Sequence, residues 1–164
     1  MQQKDTDPIS EFEEIIENLY GLYLDSTVGL VKLVEFLNNV RTTMIQKLEK
    51  SDPKIDNPEY LDNQLFIYGE GNPNTSEALK LHECTQEEFY KRNSENGRNH
   101  IYMGNLTLIS IYHYWESFYR GKIAEFKKIR KEDLQLSIMG DLGKLRRSIV
   151  HHRGIALKDV EKCE

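Results

Sequence analysis

At 164 residues, 38% apolar and 30% charged, the chain is long enough to bury one hydrophobic core and is read as a single globular domain, 1–164. A net charge of −5 argues against general nucleic-acid binding, and no apolar run reaches the roughly 20 residues of a membrane span, so no membrane partner is expected. Two distant cysteines, Cys84 and Cys163, exclude a disulfide framework; Met1-Gln2-Gln3-Lys4-Asp5 lacks the basic-then-apolar order of a secretory signal, and a reducing, cytoplasmic location is expected.

The first helix is predicted to start at Asp7-Pro8, with Asp as N-cap and Pro at the first helical position. Ile9, Phe12, Ile15, Ile16, Leu19, Tyr20 and Tyr23 recur at three and four residues, an amphipathic stripe. Gly21 and Asp25-Ser26 predict a break near 21–26. A second helix then runs over roughly 26–50 and stops before Ser51-Asp52-Pro53. Residues 51–98 read as a loop-rich insertion punctuated by Pro53, Pro58, Gly69, Gly71 and Pro73. Within it, Leu65-Phe66-Ile67-Tyr68 reads as an extended segment without a partner strand. Thr85-Gln86-Glu87-Glu88 matches a capping box and predicts a short helix over about 86–94.

A long third helix, about 99–129, carries Leu108, Ile111, Tyr112, Trp115, Phe118, Tyr119, Ile123 and Phe126, and is expected to be the spine of the core. The fourth begins near Glu132-Asp133, bears Leu134, Leu136, Ile138, Leu142, Leu145, Ile149 and Val150, and ends at Gly154. The architecture expected is all-α, a bundle of four to five helices with the long irregular insertion between helices two and three.

Charge is unevenly distributed. Residues 120–158 hold 11 basic and 4 acidic side chains, whereas every other stretch is net acidic. Arg146, Arg147, His151, His152 and Arg153 crowd into eight positions of that segment. Clustered positive charge with a titratable imidazole suits a phosphate ligand. A basic helix screened by acidic neighbours explains the same charge without a ligand.

Arg146-Arg147-Ser148-Ile149-Val150-His151 is an Arg-x4-His near the end of the last long helix, trailed by His152-Arg153-Gly154-Ile155-Ala156 and preceded by an aromatic helix containing Trp115-Glu116. In these features, over about 60 residues, the chain resembles the HEPN superfamily, all-α domains that include ribonucleases of toxin–antitoxin and antiviral systems. Arg147 stands where such proteins often have Asn, Asp or His, and Arg153 where the branch paired with nucleotidyltransferase antitoxins has Tyr; that branch's regulation is not carried over. The resemblance implies a HEPN-like fold, RNA as substrate, a homodimer with both motifs facing one cleft, and an antitoxin or defence-system partner protein.

It also implies metal-independent cleavage by attack of the RNA 2′-OH on the adjacent phosphodiester, for which His151 and Arg146 are the expected catalytic residues. Imidazole near its own pKa suits the proton transfers, and a fixed guanidinium suits the charge of the transition state. Arg147, His152, Arg153 and Glu116 are the expected supporting or RNA-binding residues. On an ideal helix Arg146 and His151 lie about 140° apart and Arg147 and His151 about 40° apart, so Arg146 more readily meets a His151 from a second subunit. Gly140 and Gly143 suit close approach of another helix or of another subunit, and are candidates for the subunit contact.

Each of these residues also has a plainer reading. His151 suits a helix C-terminus, His152 a solvated neighbour, Arg153 an ion pair, and Glu116 an i,i+4 pair with Arg120. His113 and Glu116, three apart, lack matching carboxylates on other helices, and His82-Glu83-Cys84 is isolated; no metal and no cofactor are expected. The competing function is a catalytically inactive HEPN-like module that binds RNA, a nucleotide or a protein partner.

Overall fold

The computed structural model of the chain describes residues 7–48, 54, 57–72, 74–152 and 160. The described residues are mostly helical, with one two-stranded antiparallel sheet among them. It divides into two compact units, Met1–Ser26 with Tyr102–Glu164, and Thr27–Ile101.

Helix α1 runs from Pro8 to Leu48. Asp7 starts it as expected: its carboxylate accepts from the Ile9 amide at 3.0 Å and its carbonyl from the Glu11 amide at 3.0 Å. The expected break at 21–26 does not occur, and the first two predicted helices are one helix of 41 residues. Ser26 donates its hydroxyl to the Leu22 carbonyl at 2.7 Å and so does not cap a new helix. Gly21 costs a helix only about 1 kcal/mol relative to Ala, too little to interrupt one this long.

In the unit Thr27–Ile101, residues 58–93 are more ordered than the loop-rich insertion expected. They form α2 (Pro58–Asp62), strands β1 (Leu65–Glu70) and β2 (Leu79–Thr85), and α3 (Gln86–Asn93). The all-α expectation is corrected by this hairpin, in which Leu65 pairs with Thr85 and Tyr68 with His82, with a bulge between Tyr68 and Gly69. The second strand escapes sequence reading because its burial does not alternate: only Cys84 is buried among Leu79–Thr85. Leu37, fully buried, packs with Cys84 and Phe89, and Phe66 stacks on Phe89 at 4.2 Å between centroids. Arg41 joins α1 to its neighbours, donating to Asp62 at 2.6 Å and to Gln86 at 2.8 Å. The capping box at Thr85 forms as predicted, with both reciprocal bonds between Thr85 and Glu88 present.

The other unit contains the candidate site. The third predicted helix is α4 (Arg98–Tyr114), a single π-helical turn (Trp115–Tyr119) and α5 (Arg120–Phe126). It ends in a Schellman arrangement: the amide of Ile129 donates to the Ala124 carbonyl and that of Lys128 to the Glu125 carbonyl, both at 3.0 Å, with Lys128 left-handed at φ 55°. The last long helix does not begin near Glu132. A short 3-10 turn occupies Lys131–Asp133, and α6 runs from Ser137 to His151. Arg130 holds that turn by donating to both Asp133 oxygens at 2.9 and 2.7 Å, and Leu134 is turned into the core. That core joins Phe12 of α1 to Trp115, Ile123, Ala124, Leu134 and Met139, with Phe12 stacked on Tyr119 at 5.2 Å. No described helix is long and apolar enough to cross a membrane.

Candidate functional site

Helix α6 carries the Arg-x4-His motif. Met139 is buried and Leu142, three residues on, packs on the same core, so this stripe of the helix points inward, while Ser148, buried near the far end, lies on the opposite side. Gly143 lies on the half-buried side, close against α4. A Cβ there would sit 3.0 Å from Cε2 and 3.2 Å from the hydroxyl of Tyr112. Gly143 thus gives clearance within the chain for the Tyr112 ring. Three residues later, nearly one helical turn, the Arg146 guanidinium lies over the same ring, 5.6 Å from its centroid. A cation over an aromatic face gains about 0.5–2 kcal/mol and has its plane oriented.

His151 is the last residue of α6 and is exposed to solvent. His152 follows as the exposed C-cap, its amide donating to the Ser148 carbonyl at 3.1 Å. Arg147 is exposed on the same side of the helix as His151. Because α6 stays helical through His151, Arg146 and His151 of one chain leave the helix in directions about 140° apart. One chain therefore presents the two motif residues on different faces. Arg153 and the Gly154 helix end lie outside the described residues, as do Cys163 and the Ser51-Asp52-Pro53 stop.

Glu116 sits in the π-helical turn and is not hydrogen-bonded to the motif. It accepts from Nη1 of Arg120 at 3.0 and 3.4 Å and pairs with Lys131 at 3.3 Å. Lys131 also donates to the Glu116 carbonyl at 3.1 Å, and Arg120 Nε to the Leu134 carbonyl at 3.2 Å. Burial pushes the Glu116 carboxyl up, but hydrogen bonds and charge from Arg120 and Lys131 outweigh it and hold the group below the usual carboxylate range. The i,i+4 pair expected with Arg120 is thus present, extended to Lys131. His113 turns elsewhere, its Nδ1 lying 3.3 Å from the Ser117 hydroxyl.

Sequence reading missed the second task of Tyr112, which its place in the apolar stripe assigns to the core alone. The signal was Gly143 three residues before Arg146, a small residue where a ring from another helix needs room. Sequence reading also missed the cleft beside this ring, lined by Tyr112, Trp115, Glu116 and Arg120 on one side and by residues of 134–140 on the other.

The chain matches no protein-family model, no curated protein and no solved structure.

Proposed function

We propose that the chain is a HEPN-type endoribonuclease that cleaves RNA without a metal, by attack of a 2′-OH on the adjacent phosphodiester. The observation that carries the reading is the pairing of a guanidinium oriented on an aromatic ring, Arg146 on Tyr112, with an imidazole left open to solvent at the end of the same helix, His151. His151 exchanges a proton with the attacking 2′-OH or the leaving 5′-oxygen, and Arg146 binds the non-bridging oxygens as charge builds on phosphorus. The product is a 2′,3′-cyclic phosphate. The basic segment 120–158 attracts the polyanion, and Arg147 and His152, exposed beside His151, contact its backbone. Arg153 is assigned to the same backbone from its place in the sequence.

Opposite faces within one chain call for a symmetric homodimer in which Arg146 of one copy meets His151 of the other. Ile138 and Val150, 64% and 47% exposed on α6, are apolar surface that a second copy would cover. The biological role in this reading is a toxin or antiviral effector in the cytoplasm, restrained or triggered by a partner protein.

The separation of the two motif residues favours a second reading, a catalytically inactive module that only binds RNA, a nucleotide or a protein. One assay divides them. Purified wild type, Arg146→Ala and His151→Ala are incubated with RNA in excess chelator. Cleavage by wild type alone, leaving cyclic phosphate ends, is the expected result. Binding without cleavage selects the module, and equal traces from all three proteins end the enzyme reading.

A further inference from the structure

The motif leaves the cleft beside it unexplained. Its volume is about 430 Å³, within the range of roughly 300–1,000 Å³ typical of small-ligand sites. Its walls are of two kinds. Tyr112, Trp115, Leu134 and Met139 are flat or apolar, as a stacked ring requires. Glu116 and Arg120 place an acceptor and a donor side by side. A carboxylate has about four acceptor directions; on Glu116, Arg120 Nη1 takes one at 3.0 Å and a long one at 3.4 Å, and Lys131 a third at 3.3 Å, so one direction is open and a second is held only by the long contact. Nη2 of Arg120 has no hydrogen-bond partner among the described residues, since Nη1 serves Glu116 and Nε serves Leu134. The π-helical turn that carries Glu116 is a local departure of a kind often found at functional sites.

We propose that this cleft binds a guanine base, placed there by an RNA whose phosphate lies at Arg146. The proposal rests on the ribonuclease reading for its RNA, and on the cleft alone for its base. A guanine presents two adjacent N–H donors, N1 and N2, beside the O6 carbonyl. A carboxylate accepts both donors and a neighbouring guanidinium donates to the carbonyl. Uracil offers one donor between two carbonyls, cytosine one amino group beside two acceptors, and adenine one amino group beside N1, so each leaves part of the pair unmatched. Extruded bases are commonly read in this manner, through the Watson–Crick edge and between aromatic or apolar side chains. Tyr112 connects the two sites, walling the cleft and carrying Arg146 on its ring.

The test measures binding separately from cleavage. Full-length wild type, Glu116→Gln, Gly140→Leu and His151→Ala are titrated with the 3′-monophosphates of guanosine, adenosine, cytidine and uridine. Gly140 lines the cleft and a Cβ there meets nothing within 4 Å, so a leucine is accepted by the backbone and takes up cleft volume while Glu116 and Arg120 are retained. The guanosine nucleotide is expected to bind at least tenfold tighter than the others. Glu116→Gln should erase that preference, Gly140→Leu should weaken all four, and His151→Ala, which alters only the phosphate end of the site, should leave the ratio among the four bases unchanged whatever it costs them in common. Equal binding of the four bases, or guanosine binding that survives Gly140→Leu, overturns the proposal whether or not RNA is cleaved. Guanine-selective binding lost in both cleft variants, in a protein that cleaves no RNA, upholds the guanine site while the ribonuclease reading fails. Competition between 3′-GMP and guanosine-containing or guanosine-free oligomers decides the source. Displacement by the guanosine-containing oligomer alone supports an RNA base; displacement by neither shows a free-nucleotide site and overturns the RNA assignment.

Discussion

Arg146 and Tyr112 form the contact on which the proposed chemistry depends most directly. Replacing Arg146 with Lys keeps the charge but loses the planar, stacked guanidinium, so the two cations are not equivalent there. We expect Arg146→Lys to cut RNA cleavage by about 10²-fold or more, the scale of losing one oriented transition-state donor. Tyr112→Leu should lower it less, since the charge remains and only its orientation is lost; steady-state rates on one oligomer at fixed salt provide the comparison. Glu116 allows a pH prediction. Its folded-state pKa is held below the ordinary value of 4.5. Its stabilising contribution is therefore full above that value and is lost as pH falls through the lower, folded one. Chemical denaturation should find wild type more stable than Glu116→Gln at pH 7, with the difference shrinking below about pH 4.5. A difference that stays constant down to pH 3 would contradict the network described. The Arg-x4-His spacing and its place at the end of a helix were legible because they are local in sequence. The Tyr112 contact was less so, because it joins residues 34 positions apart that periodicity alone does not link.

At the level of elements, two α6 glycines are expected to behave oppositely. A Cβ at Gly140 meets nothing within 4 Å, so Gly140→Ala should stabilise the protein, by about 0.5–1 kcal/mol, through helix propensity. A Cβ at Gly143 lies 3.0–3.3 Å from Tyr112, so Gly143→Ala must push the ring and the guanidinium above it, lowering cleavage with little gain in stability. Gly97, in the turn before α4, is the more severe case. A Cβ there would lie 2.5 Å from the Lys91 carbonyl oxygen and 2.7 Å from those of Arg92 and Ser94. Gly97→Ala should cost about 1–3 kcal/mol, as overpacking does, read as a fall in melting temperature. Elements with strong local punctuation were legible: the Asp7-Pro8 start and the Thr85–Glu88 capping box are both present. The uninterrupted α1 was not, because a mid-helix serine and glycine look like a boundary unless the serine's bond to Leu22 is visible. Nor was the second strand of the hairpin, Leu-Lys-Leu-His-Glu-Cys-Thr, whose alternation breaks at His82-Glu83 and whose only β-branched residue is Thr85.

For the whole molecule, the proposed homodimer makes its own prediction. Mixing Arg146→Ala with His151→Ala protein should restore partial cleavage, since one site of the mixed dimer joins an intact arginine to an intact histidine across the axis. No recovery despite measured subunit exchange would mean that the pair acts within one chain. A helical preference was evident from the 3.6-residue periodicity. The boundary between the two units, at Ser26 and Thr27, falls beside the glycine and serine at which a helix break was expected, although α1 itself runs through it. The unit Thr27–Ile101 also contains a timer for its own opening. Cys84, on the buried side of β2, is a free thiol sealed against Leu37 and Phe89. In a Cys163→Ser background, alkylation of that sulfur waits on the moment the seal parts, and with reagent concentrated enough to outpace reclosing the labelling rate counts those partings one by one. Shaving Leu37 to alanine should make the count run faster.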